Sequence, residues 1–148
     1  MISPESLAFL RRLLDAPGPS GFETVAARIW RAEAEQFATN IRTDVAGNSI
    51  AEVNPTGSPT ILLDGHIDEI GVIVQYIDDD GFVWISPIGG WDPQVLVGQR
   101  IRFLAESGHV IGVVGRKPIH LIKEADRDHA VKFPDLWVDI GAPNRDSK

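Results

Sequence analysis

The chain has 148 residues, of which 43% are hydrophobic and 24% are charged, as expected of one folded domain or one domain with a small insertion. With 21 acidic and 14 basic residues, its formal net charge is −7, which makes nucleic acid or an anionic membrane an unfavourable partner. The chain lacks cysteine, which excludes disulfides, thiolate metal ligands and a cysteine nucleophile. Any metal would therefore be held by histidine and carboxylate ligands, a set that suits zinc, cobalt or manganese.

Two amphipathic helices are predicted at the start of the chain. The first begins at Ser3, which is followed by a proline and an acidic residue, a typical helix start. It must end before the turn Pro17-Gly18-Pro19-Ser20-Gly21, whose glycines allow close backbone approach. The second helix is predicted from about Phe22 to Phe37, where apolar residues recur at helical spacing.

A hairpin and a buried strand should follow. Residues 41–45 and 49–53 flank Ala46-Gly47-Asn48 and predict two antiparallel strands. The short aliphatic run Thr60 to Leu63 predicts a buried strand that ends at an acidic cluster. Helices combined with strands favour the front part of an α/β fold with a mixed sheet.

After Gly71 the pattern changes to short apolar segments separated by turn residues. Such spacing predicts a compact, barrel-like all-β module. The predicted strands are Val72 to Ile77, Phe82 to Ser86, Gln99 to Leu104, Val110 to Gly115 and Trp137 to Asp139.

The residues best suited to chemistry lie directly after the predicted strand at 60–63. In an extended backbone, His66 and Asp68 share a face, so that a carboxylate can orient an imidazole whose other nitrogen binds a divalent metal. Glu69 supplies a neighbouring carboxylate without an assigned role. The competing interpretation is a solvated polar loop, and it is disfavoured by Gly65 and Gly71 on either side and by the apolar segments beyond them.

This motif, Asp64-Gly65-His66-Ile67-Asp68-Glu69-Ile70-Gly71, resembles the first metal motif of the tetrahedral, glutamyl or deblocking type of dinuclear metallo-aminopeptidase, some members of which carry the name endoglucanase M. The resemblance covers almost the whole chain. It extends to residues 16–23, 44–48, 88–98, 115–121 and 136–142.

The resemblance implies a fold, an activity and a set of roles. Residues 1–70 would be the N-terminal portion of a catalytic α/β domain, and residues 71–148 an inserted β-rich domain through which a homo-oligomer forms. His66 would be a metal ligand and Asp68 the acid that orients it, in an enzyme that removes N-terminal residues from peptides. The other ligands and the general base of the family would lie downstream of residue 148. We therefore expect a truncated chain that has weak metal affinity and no activity alone.

Two other functions are compatible with the sequence. The chain could act as a non-catalytic oligomerisation module, which is compatible with the peptidase assignment. A glycoside hydrolase is less favoured, since it rests on scattered tryptophans and on two carboxylates whose separation the sequence does not give. The sequence contains neither a long apolar run nor a signal-peptide pattern, and we expect a cytoplasmic protein without a membrane span.

Overall fold

A computed structural model describes residues 2–146 of the chain. The chain divides between Glu69 and Ile70 into two compact units, called here the N-terminal unit and the β unit. The assignment of these units to a catalytic domain and a dimerisation domain stays a prediction. The regular elements are α1 (Pro4–Asp15), α2 (Thr24–Ala34), β1 (Asn40–Thr43), β2 (Ser49–Glu52), β3 (Gly71–Ile77), β4 (Val83–Ile88), β5 (Arg100–Ala105), β6 (Gly108–Arg116) and β7 (Leu136–Asp139).

Both predicted helices are present in the N-terminal unit. The Ser3 hydroxyl caps α1 by accepting a hydrogen bond from the backbone N–H of Ser6 at 3.1 Å. No residue of α1 is buried, and its leucines remain partly exposed. The buried apolar side chains described in this unit are all alanines: Ala16, Ala26, Ala27 and Ala34.

The predicted hairpin is the antiparallel pair β1 and β2. Its turn is closed by Asp44, which accepts hydrogen bonds from the backbone N–H groups of Ala46 and Asn48 and from the Asn48 side chain. Gly47 adopts a φ of 91°, a conformation that glycine tolerates better than other residues. These bonds hold the pKa of Asp44 below its usual value, with the Asn48 side chain as the largest cause.

The prediction of a buried strand at Thr60 to Leu63 is wrong for the residues described. The segment forms no regular strand, and Ile61, Leu62 and Leu63 are 77%, 85% and 91% exposed. A strand requires a hydrogen-bonded neighbour, and the structure pairs this segment with no other part of residues 2–146. The apolar pattern of this segment is therefore typical of a buried strand, although its side chains are exposed in the part of the chain described.

The β unit contains one five-stranded antiparallel sheet in the order β3-β4-β7-β6-β5. All five predicted strands are present, with ends shifted by no more than two residues. One face of the sheet covers a core built on Leu136 and Val138, which are fully buried, together with Val83, Ile85 and Val114. The α/β fold class with a small β-rich, half-barrel part is thereby confirmed.

The opposite face of this sheet, called here the outer face, carries a row of aromatic side chains. Tyr76 pairs with Trp84 across β3 and β4, and Trp84 pairs with Trp137 across β4 and β7. The rings of Tyr76 and Trp84 are stacked with centroids 5.7 Å apart, and those of Trp84 and Trp137 are tilted at 5.8 Å. Because side chains alternate along a strand, Val113 and Ile111 of β6 lie on the outer face as well.

In the part of the chain that the structure describes, no helix is long and apolar enough to cross a bilayer.

Candidate metal-binding site

The turn that carries His66 and Asp68 is held against the loop between α1 and α2. The backbone N–H of Glu69 donates to the Gly18 carbonyl at 2.8 Å, and the N–H of Ser20 donates to the Glu69 carbonyl at 3.3 Å. Pro19 and Glu69 thus form an isolated parallel bridge. The Glu69 carboxylate accepts a further hydrogen bond from the Gly18 N–H at 3.0 Å. This bond gives Glu69 a structural part in joining the two segments.

Gly18 is buried at this junction. A Cβ atom added to it would lie 3.4 Å from the Ala26 Cβ and 3.7 Å from the Ile67 carbonyl oxygen. Both distances are ordinary van der Waals contacts. Gly18 thus packs against both α2 and the segment that bears His66.

His66 and Asp68 form a direct side-chain pair. The Nδ1 atom of His66 lies 2.9 Å from Oδ1 of Asp68 and 3.1 Å from the Asp68 carbonyl oxygen. An ionised carboxylate and a carbonyl can only accept, so Nδ1 carries the proton in the neutral ring and Nε2 keeps its lone pair. The His66 side chain is 86% exposed, which leaves this nitrogen accessible.

Ser20 completes the group from the loop. Its hydroxyl donates to Oδ2 of Asp68 at 2.5 Å, so that the two carboxylate oxygens have different partners. The hydrogen bond from Ser20 is the largest cause, and that from His66 the second, of a pKa of Asp68 below its usual value. Asp68 therefore remains ionised at neutral pH and acts as a hydrogen-bond acceptor.

The donor set can be compared with the needs of a divalent metal. An imidazole with a carboxylate on Nδ1 fits the arrangement of a metal-binding histidine and its orienting acid. A protein zinc site normally has three or four protein ligands. Among residues 2–146, no three His, Asp or Glu side chains come together in a way that could hold an ion. The described residues thus fit one ligand and its orienting carboxylate but do not complete a site.

The structure brings together His66 and Asp68, the two residues predicted from the sequence, and their metal and catalytic roles stay predictions. The part played by Ser20 was missed, although the motif that contains it was noted. A hydrogen bond across 48 residues leaves no local pattern in a single sequence. The available signal was the glycine- and proline-rich turn itself, which is typical of close backbone approach.

Comparison with known proteins identifies the family of this chain. Residues 47–148 match the M42 glutamyl aminopeptidase family. The chain belongs to this family. M42 proteins are metallopeptidases, and the match includes both His66 and Asp68.

Two known proteins are similar to almost the whole chain. The chain is 35% identical to a lysyl aminopeptidase of Pyrococcus furiosus over 93% of its length, which corresponds to 40% of that protein. It superposes with a TM-score of 0.92 on the crystal structure of a TET aminopeptidase from the marine sediment archaeon Thaumarchaeota archaeon SCGC AB-539-E09, at 33% identity and with 98% of this chain and 41% of that chain covered.

A third similar protein is the TET1 peptidase of Pyrococcus horikoshii, which can assemble into a tetrahedron or a large octahedral shell. The TM-score is 0.80 at 33% identity, covering 95% of this chain and 42% of that one. The chain thus spans about two fifths of the length of the relatives it matches.

Proposed function

We propose that this chain supplies the first metal ligand of a metal-dependent aminopeptidase that removes N-terminal residues from peptides. His66 is the ligand, through Nε2, and Asp68 is the acid that orients it. The observation that carries this proposal is the 2.9 Å contact between His66 Nδ1 and Asp68, because it directs the free ring nitrogen outward. Membership of the M42 family supports the reaction type.

In such hydrolysis, divalent ions supply polarisation of the scissile carbonyl and a lower pKa for water. Zinc, cobalt or manganese would suit an imidazole and carboxylate donor set. The part of this chain is to hold an imidazole in one tautomer and one direction. Since one imidazole is fewer ligands than a stable zinc site requires, the 148 residues should bind metal weakly and should not hydrolyse peptides unaided. We place the protein in the cytoplasm.

The test is calorimetric titration of the chain with zinc. His66→Ala should abolish the strongest binding, and Asp68→Asn should weaken it by about 10- to 100-fold, as for other residues that orient a metal ligand. His129→Ala is a matched control, because His129 is another exposed histidine with an aspartate nearby, 3.7 Å away. Binding that is insensitive to His66 but lost in His129→Ala would contradict the proposal.

A second candidate function is oligomerisation through the β unit. Tyr76, Ile111 and Val113 of the outer face are 50%, 54% and 46% exposed. Exposed apolar side chains grouped on one face of a sheet can mark an interaction site. The assembly of the Pyrococcus horikoshii neighbour is consistent with a homo-oligomer. The molar mass of outer-face variants in solution tests this candidate.

A further inference from the structure

The contacts of Asp68 divide its two carboxylate oxygens between two partners. Oδ1 lies 2.9 Å from His66 Nδ1, and Oδ2 accepts from the Ser20 hydroxyl at 2.5 Å. A carboxylate held at one oxygen alone can swing about its χ angles and still keep that bond. With both oxygens engaged by groups on different segments, the orientation of Asp68 is determined.

The partner on the second oxygen is itself fixed by the backbone. Ser20 lies beside the Pro19–Glu69 bridge, and its N–H donates to the carbonyl of Glu69, the residue next to Asp68. The Gly18 N–H bond to the Glu69 carboxylate adds a third connection. The Ser20 hydroxyl therefore starts from a backbone position that is fixed relative to Asp68, and a serine side chain has only one χ angle to order.

We propose that Ser20 is a positioning residue for His66. Its hydroxyl holds the Asp68 carboxylate so that Oδ1 faces His66 Nδ1. This contact adds to that of Nδ1 with the Asp68 carbonyl in favouring a proton on Nδ1, which presents the Nε2 lone pair outward. The metal-binding consequence rests on the proposed function of His66. The hydrogen bonds that connect Ser20, Asp68 and His66 do not rest on that function, because they are contacts within this chain alone.

The alternative is that Ser20 merely joins the loop to the turn. The backbone bonds of Ser20 and Gly18 already make that connection and would survive loss of the hydroxyl. A purely structural hydroxyl would leave the tautomer of His66 unchanged. The proportion of Nδ1-protonated and Nε2-protonated imidazole therefore distinguishes the two roles.

The experiment is long-range ¹H–¹⁵N NMR of the metal-free 148-residue chain at about pH 8.5, roughly two units above the usual histidine pKa, where imidazole is neutral. We expect His66 to be mainly Nδ1-protonated in the wild type. Ser20→Ala and Ser20→Gly should both move the population toward the Nε2-protonated form, and Ser20→Thr should restore it by returning a hydroxyl.

Ser49→Ala is the matched control, because it removes a hydroxyl that accepts from the Arg31 guanidinium in the same unit. The proposal is overturned if the His66 ring shifts are unchanged in both Ser20→Ala and Ser20→Gly, or if Ser49→Ala changes them equally. Backbone amide spectra identify any variant that has unfolded. If Ser20→Ala does not fold, Ser20→Gly still tests the proposal.

Zinc titration of the same variants separates this inference from the proposed function. Ser20→Ala should lower the affinity by less than the approximately 10- to 100-fold expected for loss of the orienting acid itself. If the tautomer of His66 changes but zinc binding is insensitive to His66, the positioning role of Ser20 is supported and the metal role of His66 is refuted. If zinc binding depends on His66 but the tautomer does not change, the metal role is supported and the positioning role of Ser20 is refuted.

Discussion

The half-buried residue Asp78 organises a turn of the β unit through its carboxylate. Its Oδ1 accepts from the backbone N–H groups of Asp80 and Phe82 at 3.1 and 2.9 Å, and its Oδ2 accepts from Nε1 of Trp84 at 2.8 Å. These bonds favour the charged form and hold the pKa of Asp78 below its usual value, with the Trp84 indole as the largest cause. The carboxylate therefore couples the β3–β4 turn to the aromatic row.

The stability of the β unit should consequently depend on the protonation of Asp78. The pKa of Asp78 in the folded protein lies below the unfolded value of about 3.9. At a pH between these two pKa values, the unfolded chain therefore binds more protons than the folded chain. The stabilisation is complete above the unfolded pKa and is lost as the pH falls through the folded pKa. We expect the urea midpoint, followed by tryptophan fluorescence, to fall with pH below about 4 and to fall less steeply in Asp78→Asn.

Asp80→Asn is the control for this acid titration. Asp80 lies in the same turn and is exposed, but its carboxylate accepts none of the bonds that organise the turn. The urea midpoint of Asp80→Asn should therefore fall with pH as steeply as that of the wild type. If the urea midpoint of Asp78→Asn also falls as steeply as that of the wild type, other carboxylates cause the acid sensitivity.

At the scale of whole elements, residues 60–63 illustrate what an apolar run does and does not specify. Leu62 and Leu63 are almost fully exposed, whereas Leu136 of β7 is fully buried between β4 and β6. Each segment has four residues, three of which are apolar. What differs is the presence of hydrogen-bonded neighbours, which β7 has on either side and the 60–63 segment lacks among residues 2–146.

This difference predicts opposite outcomes for equivalent mutations. The double substitution Leu62→Ser and Leu63→Ser removes side chains that contact mainly water, so we expect it to change the free energy of unfolding by no more than about 0.5 kcal/mol per site. Leu136→Ala leaves a cavity in the core and should cost about 2–5 kcal/mol. Urea unfolding measures both. A large loss in the serine variant would indicate that these leucines are covered in solution.

The same contrast explains which parts of the fold could be predicted from the sequence. The strands of the β unit were predictable because every strand finds its partners between residues 71 and 139, so the apolar pattern and the actual burial agree. The pairing of His66 with Asp68 was predictable because the two residues are close in sequence. The contact of Asp68 with Ser20 was not predictable, because α2 and the hairpin lie between these two residues in the sequence.

At the scale of the molecule, the apolar side chains are distributed unevenly. The N-terminal unit buries alanines and exposes larger residues such as Phe22 and Phe37, whereas the β unit buries valine, isoleucine and leucine. Burial of apolar area scales with side-chain size, so most of the hydrophobic stabilisation described resides in the β unit. Among the exposed apolar side chains described, two groups are candidates for self-association: the outer face of the β sheet and the 60–63 segment.

These two surfaces predict different effects on molar mass. If the outer face forms the homo-oligomer, the double substitution Ile111→Lys and Val113→Lys should lower the mass measured by light scattering, because it places two charges in an apolar contact. Both side chains are about half exposed, so folding should be retained, as circular dichroism would verify. The variant with serine at positions 62 and 63 is the matched control and should keep the wild-type mass. The reverse pattern, with the lysine variant unchanged and the serine variant smaller, would assign association to the 60–63 segment and refute the proposed role of the outer face.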